Sequence, residues 1–137
     1  MAGSPPPLSA ELVWSGRLRF SATSGSTAIA IDGDGATGPS PVQLAAFGLA
    51  GCMATDVVAI LEKGRHGLRA LRASFSGERA AEPPRRFVRI TIHFHLSGPV
   101  PLEAAERAIA LSRDKYCSVW HSMNPDIELV TPVNVRS

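Results

Sequence analysis

The chain has 137 residues, enough for one domain with one sizeable core, and its 45% hydrophobic content is ordinary for a soluble globular protein. Its 14 basic and 12 acidic side chains leave a formal net charge of +2, and the arginines are scattered instead of clustered, which excludes a nucleic-acid footprint. Residues 1–10, MAGSPPPLSA, lack the basic start and apolar stretch of a secretory signal, so a cytoplasmic protein is expected, with residues 1–10 a disordered tail and 11–137 a single domain.

Residues 11–32 read as two strands, LVWSGRLRF and TAIAID, parted by a turn in SATSGS. The loop DGDGATGPS ends in Ser40 and Pro41, the N-cap and first-position pair that starts helices. A helix is predicted from there to about Lys63, where Gly64 and Gly67 stop it. From Leu44 to Ala54 it is apolar on nearly every side, so one sheet cannot cover it. A second layer or a second subunit must, and a homodimer is expected. A membrane span is disfavoured, because Gln43 and Asp56 lie inside the run and a mid-bilayer Asp costs about 2.5–3.5 kcal/mol.

LRALRASFSGER, residues 68–79, reads as a third strand, with RAAEPPRR as its exposed connection. In FVRITIHFHL, Val88, Ile90, Ile92, Phe94 and Leu96 face one way and Arg89, Thr91, His93 and His95 the other, the period of a half-buried antiparallel strand. Leu102, Ala105, Ile109, Ser112 and Tyr116 are spaced for a second helix that brings Cys117 to its end. A short helical turn stopped by Asn124 and Pro125 follows, and IELVTPVNV supplies a closing strand. This order of elements predicts an α+β fold with antiparallel sheets packed on a long cysteine-bearing helix.

Cys52 and Cys117 are the two cysteines, and three readings compete for them. Each is a small buried hydrophobe, or a metal ligand, or half of a redox pair. His93 and His95 share a strand face and His121 follows Cys117 by four residues, yet CxxC, HxxxH and HExxH are all missing, so neither metal nor cofactor is expected. Redox chemistry needs a thiolate. An ordinary thiol is only about 3% ionised at pH 7, and burial lowers that fraction. Cys52 lies twelve residues past Ser40, beyond the reach of the helix dipole, so a cation must help. A guanidinium within about 4–6 Å lowers a neighbouring pKa by about 1–3, and Arg17 and Arg19 are the candidates, with a solvated strand face as their alternative role. Asp56 and Thr55 follow Cys52 by one turn, but as an anion Asp56 opposes ionisation and stays outside the catalytic set. Trp120, Met123 and Phe47 are candidates for an apolar pocket or for core.

The segments SPVQLAAFGLAGCMATDVVAILEKGR, FVRITIHFHLSGPV, AAERAIALSRDKYCSVWHSMNP and IELVTPVNV together resemble the OsmC/Ohr family of osmotically inducible and organic hydroperoxide resistance proteins, over about residues 11–135. The resemblance implies an intertwined homodimer around the cysteine-bearing helices. It implies a peroxidatic Cys52 and a resolving Cys117 that reduce a small organic hydroperoxide to its alcohol, with electrons from a dithiol donor such as a lipoyl or thioredoxin-like protein. Two positions depart from the family pattern: Val42, with Gln43 beside it, stands where the active hydroperoxide reductases carry a glutamate, and Ser26 or a neighbour where a loop arginine is usual. The chain therefore looks closer to an OsmC-like branch that keeps the cysteines without that glutamate. Gln43 joins Arg17 and Arg19 as a supporting candidate, and a ligand-binding or structural dimer with little peroxidase activity remains the alternative function.

Overall fold

The computed structural model describes residues 3–137; the start of the expected tail lies outside the described residues, and residues 3–10 carry neither helix nor strand. The chain divides into two compact units, one ending at Ala45 and one spanning Ala46–Ser137.

The first unit is an antiparallel meander of β1 (Glu11–Gly16), β2 (Arg19–Ser24) and β3 (Thr27–Asp32). Three strands thus replace the two expected. LVWSGRLRF is not one strand, because Gly16 (φ +118°) and Arg17 (φ +51°) enter the left-handed region and turn the chain through a two-residue loop, Arg17–Leu18. Trp14 Nε1 braces that loop by donating to the Arg17 carbonyl at 2.8 Å. Most of SATSGS belongs to β2, and the turn is only Gly25–Ser26, with Gly25 at φ +58°. Much of the unit's apolar surface is open, including Leu12, Val13 and Trp14, the last 64% exposed. Its buried polar residue is Asp32, whose carboxylate accepts from the Asp34 and Thr37 amides at 2.9 and 3.0 Å and from the Thr37 hydroxyl at 2.8 Å. Those bonds hold its pKa down, at about 2.

Helix α1 runs Pro41–Lys63, with the bounds that its sequence predicts. Ser40 Oγ accepts from the Gln43 amide at 3.1 Å while Gln43 Oε1 accepts from the Ser40 amide at 2.9 Å, a reciprocal capping box. By length and composition α1 could cross a membrane, a test that the core helix of a soluble protein also passes. One stripe of it, Leu49, Met53, Val57 and Leu61 at four-residue spacing, is buried in the core of the second unit. Ala50, Cys52, Ala54 and Ile60 flank the stripe half-buried, and another part of the helix is open: Phe47 is 64% exposed, and a Cβ added at Gly48 or Gly51 would meet nothing within 4 Å.

The core of the second unit lies between that stripe, helix α2 and the apolar face of a sheet. Strand β4 (Ala70–Arg79) pairs antiparallel with β5 (Phe87–Ser97), in which Ile90, Ile92, Phe94 and Leu96 are buried, the alternation that the sequence predicts, while Val88 near the strand's start is exposed. Phe75 and Phe87 meet edge to face, 5.7 Å apart, at its end. The closing segment forms two short strands instead of one, β6 (Glu128–Val130) and β7 (Val133–Arg136), both parallel to β5. Pro132 separates them and its carbonyl accepts from the Phe94 amide at 2.9 Å, so the ladder continues where proline has no N–H to give. The α+β class and the antiparallel pairing of β1–β3 and of β4 with β5 follow the sequence reading, and the parallel edge is added by the structure.

Helix α2 (Leu102–Leu111) buries Ala105, Ala108 and Ile109, but its α-helical bonding stops short of Tyr116. Residues Ser112–Tyr116 form a π-helical turn, closed by the Cys117 amide donating to the Ser112 carbonyl at 2.8 Å, before a four-residue helix α3 (Ser118–His121). Ser112 and Cys117, predicted within and at the end of one continuous helix, therefore sit at the two ends of a widened turn.

Candidate thiol site

Cys52 sits near the middle of α1, half-buried beside the core stripe, because it follows Leu49 by three residues and precedes Met53 by one, which leaves its side chain at the stripe's edge. Cys117 is fully buried at the N-cap position of α3, where its sulfur accepts from the Trp120 amide at 3.3 Å. The Sγ atoms of Cys52 and Cys117 and a carboxylate oxygen of Asp56 all lie within 4.8 Å of one another. Asp56 occupies the next turn of α1, and its Oδ2 accepts from the buried hydroxyl of Ser112 at 2.8 Å. Helix α1 thus contributes a thiol and a carboxylate, and the π-helical turn contributes a hydroxyl at its start and a thiol just past its end. Both cysteines are free.

Burial pushes the Cys117 thiol up to about 11, and its contact with Cys52 adds to the rise, against the pull of the Trp120 amide. Cys117 therefore holds its proton at neutral pH. Among the described residues the ion pairs are Arg17–Asp34, Arg89–Glu78 and Arg89–Glu128, so Asp56 faces the sulfurs without a cationic partner.

The other residues that the sequence singles out make contacts of their own. Arg17 and Arg19 belong to the N-terminal unit, where Arg17 reaches Asp34 at 3.8 Å across an exposed turn and Arg19 opens β2 opposite Asp32 and Gly16. Gln43 in the same unit is engaged in the helix cap. His93 and His95 stack 3.9 Å apart on the open face of β5, with His93 Nε2 2.9 Å from Asn134 Oδ1, and burial holds His95 below the usual imidazole range. His121 Nε2 pairs with the Arg113 carbonyl at 2.9 Å. Trp120 and Met123 do line a cleft of about 550 Å³, together with Arg113, Asp114 and Ile127, but Phe47 is not part of it. Two residues that sequence reasoning left out of the site complete it: Asp56, the one charge between Pro41 and Leu61, and Ser112, read only as a helix position. A lone carboxylate in an apolar run, one turn from a cysteine, was the available signal for the first.

A layered α+β unit that brings two free thiols, a carboxylate and a hydroxyl to one point defines a protein with a paired-thiol centre. A family model for OsmC-like protein matches residues 33–131, and the chain belongs to that family. It is 39% identical over 115 residues to Protein YhfA of Escherichia coli K12, an alignment covering 82% of this chain and 86% of the relative. Among solved structures it is similar to a hypothetical protein from Aquifex aeolicus VF5, with a TM-score of 0.89, 26% identity, and 96% and 98% of the two chains covered. An organic hydroperoxide resistance protein, OsmC, from Legionella pneumophila shares the fold at a TM-score of 0.68 and 15% identity, with 98% and 100% covered.

Proposed function

We propose that the protein is a dithiol peroxidase that reduces small organic hydroperoxides, with Cys52 as the attacking sulfur and Cys117 as the resolving one. The observation that carries this reading is the approach of the two sulfurs to within 4.8 Å, from elements more than sixty residues apart in sequence. The half-buried sulfur is the one that substrate can reach, and the fully buried one keeps its proton, which divides the two roles. The Cys52 thiolate attacks the terminal peroxide oxygen, the O–O bond breaks, and the departing alkoxide takes up a proton to leave as the alcohol. Cys52 is left as a sulfenic acid. Cys117 then attacks the Cys52 sulfur and water departs, leaving a disulfide that an external dithiol returns to two thiols. Family membership supports the reading, as does the name of the Legionella pneumophila protein that shares the fold.

The working form is a homodimer. Each unit leaves apolar surface that a second copy of the chain would bury: the open side of α1 in one, with Phe47 exposed and room at Gly48 and Gly51, and Leu12, Val13 and Trp14 in the other. Arg17 or Arg19 of the assembled dimer is assigned to the thiolate at Cys52, with Gln43 in support through the helix start. A second reading, a binding dimer with little peroxidase activity, is favoured by the raised Cys117 thiol, which slows resolution. Hydroperoxide consumption by the reduced protein, with a dihydrolipoyl or thioredoxin-type donor, decides between them. Steady turnover that Cys52→Ser abolishes supports the peroxidase, and equal, slow loss of hydroperoxide with both proteins overturns it.

A further inference from the structure

We propose that Cys52, Cys117 and Asp56 form a binding site for a thiophilic divalent cation of the zinc type, with Ser112 holding the carboxylate in place. The inference is independent of the peroxide reaction. Three observations carry it. The two sulfurs and a carboxylate oxygen are mutually within 4.8 Å. Zinc–sulfur bonds of about 2.3 Å in a tetrahedral site separate two sulfurs by roughly 3.8 Å, so a small closing movement of the side chains brings all three donors onto one ion. The donor set is also chemically matched, because two thiolates select zinc-like ions over magnesium or calcium and a carboxylate is an accepted third ligand.

The second observation is electrostatic. Asp56 is an anion on an otherwise apolar stretch of α1, half-buried against two sulfurs, and it enters none of the ion pairs among the described residues. A cation between the sulfurs and the carboxylate supplies the missing countercharge. The third is the Ser112 hydroxyl, which donates at 2.8 Å to Asp56 Oδ2 and so fixes one carboxylate oxygen while leaving the other free to ligate. That second-sphere bond comes from the first residue of the π-helical turn, so the same irregularity that delivers Cys117 also orients Asp56.

Three protein ligands leave a fourth position for water or an external donor. Binding replaces the thiol protons, which pass to solvent, by two metal–sulfur bonds. A metal held on both sulfurs also keeps them from closing a disulfide.

The full chain, reduced with a phosphine so that no other thiol competes, is titrated with Co²⁺ as a spectroscopic probe and then with Zn²⁺. The expected result is one Co²⁺ per chain, with thiolate-to-metal charge-transfer absorption, tetrahedral ligand-field bands, and loss of both when Zn²⁺ displaces it. Cys52→Ser and Cys117→Ser remove the charge-transfer band or reduce it to the intensity of a single thiolate. Asp56→Asn keeps both thiols and nearly the same shape, and it weakens binding by at least about tenfold, so it carries the test if a serine variant does not fold. Ser112→Ala weakens binding by roughly tenfold. A double His93→Ala, His95→Ala variant binds as the parent does. Absence of thiolate absorption in the parent, unchanged affinity in Asp56→Asn, or loss of binding in the histidine variant overturns the proposal.

Discussion

The two units of the chain solve the problem of apolar surface in opposite ways. The second unit encloses its own: Leu49, Met53, Val57 and Leu61 of α1 meet Ile90, Ile92, Phe94 and Leu96 of β5 in a core without solvent access. The first unit leaves Leu12, Val13 and Trp14 of β1, Leu18 of the loop after it and Ile29 of β3 exposed, and its buried anchor is a polar one, Asp32. A three-stranded meander needs a surface to pack on, so the first unit is built to be completed and the second to stand. The difference teaches where chemistry can be held. Thiols need fixed positions to act as a pair, and both lie in the unit that packs its own core.

The comparison can be broken first at the chemistry. Cys52→Ser is expected to lower the rate of cumene hydroperoxide consumption by at least roughly 10³-fold, the scale on which attacking groups are lost, while the thermal melt stays close to that of the parent. A stopped-flow trace of variant and parent checks it.

Packing gives the next largest effect. Met53→Ala removes a fully buried side chain of the second unit and is expected to destabilise by about 2–5 kcal/mol, read as a lowered midpoint in urea. Trp14→Ala, at a position 64% exposed in the first sheet, is expected to change the midpoint of the dissociated chain little. In the homodimer proposed above, it is expected to raise the dissociation constant by roughly tenfold or more in sedimentation equilibrium, as loss of an aromatic anchor does. Equal effects of the two substitutions in urea would erase the distinction between the units.

Ser112→Ala leaves Asp56 without its hydroxyl partner in a half-buried site, and a loss of about 1–3 kcal/mol in urea denaturation is expected.

The smallest effect belongs to the first unit and to acid. Asp32 has its folded pKa depressed to about 2 by the Thr37 and Asp34 amides, so the carboxylate stabilises the fold where it is ionised. That contribution is fully present above the unfolded value of about 3.9, shrinks as pH falls, and is gone below the folded value. Asp32→Asn is expected to flatten the acid side of the stability profile in that window, followed by far-ultraviolet circular dichroism, and to leave the neutral side unchanged in slope.

What could be read from the sequence follows from how local each feature is. Helix α1 was legible at its start because Ser40 caps through its own side chain and Pro41 suits the first turn through its own backbone, and β5 because alternation over eleven residues is a local pattern. The β1–β2 turn was hidden because it depends on Arg17 adopting φ +51°, which an arginine side chain does not announce. The split of the closing strand and its parallel pairing with β5 arise from tertiary packing around Pro132, and the π-helical turn at Ser112 likewise leaves no mark in the three-and-four spacing. At the site, the two cysteines stood out by scarcity. Asp56 did not join them, because charge alone argued against an anion beside a thiolate, and only the fold reveals that it shares one point with both sulfurs and with Ser112.

The central claim, that Cys52 and Cys117 act as one redox pair within a chain, is tested most directly by mass spectrometry of the reduced protein after one equivalent of cumene hydroperoxide. The account predicts a loss of two hydrogens from the intact chain and a single disulfide-linked peptide pair containing Cys52 and Cys117, with Cys117→Ser instead trapping a sulfenic acid at Cys52. An unchanged intact mass, or oxidation confined to Cys117, would contradict it.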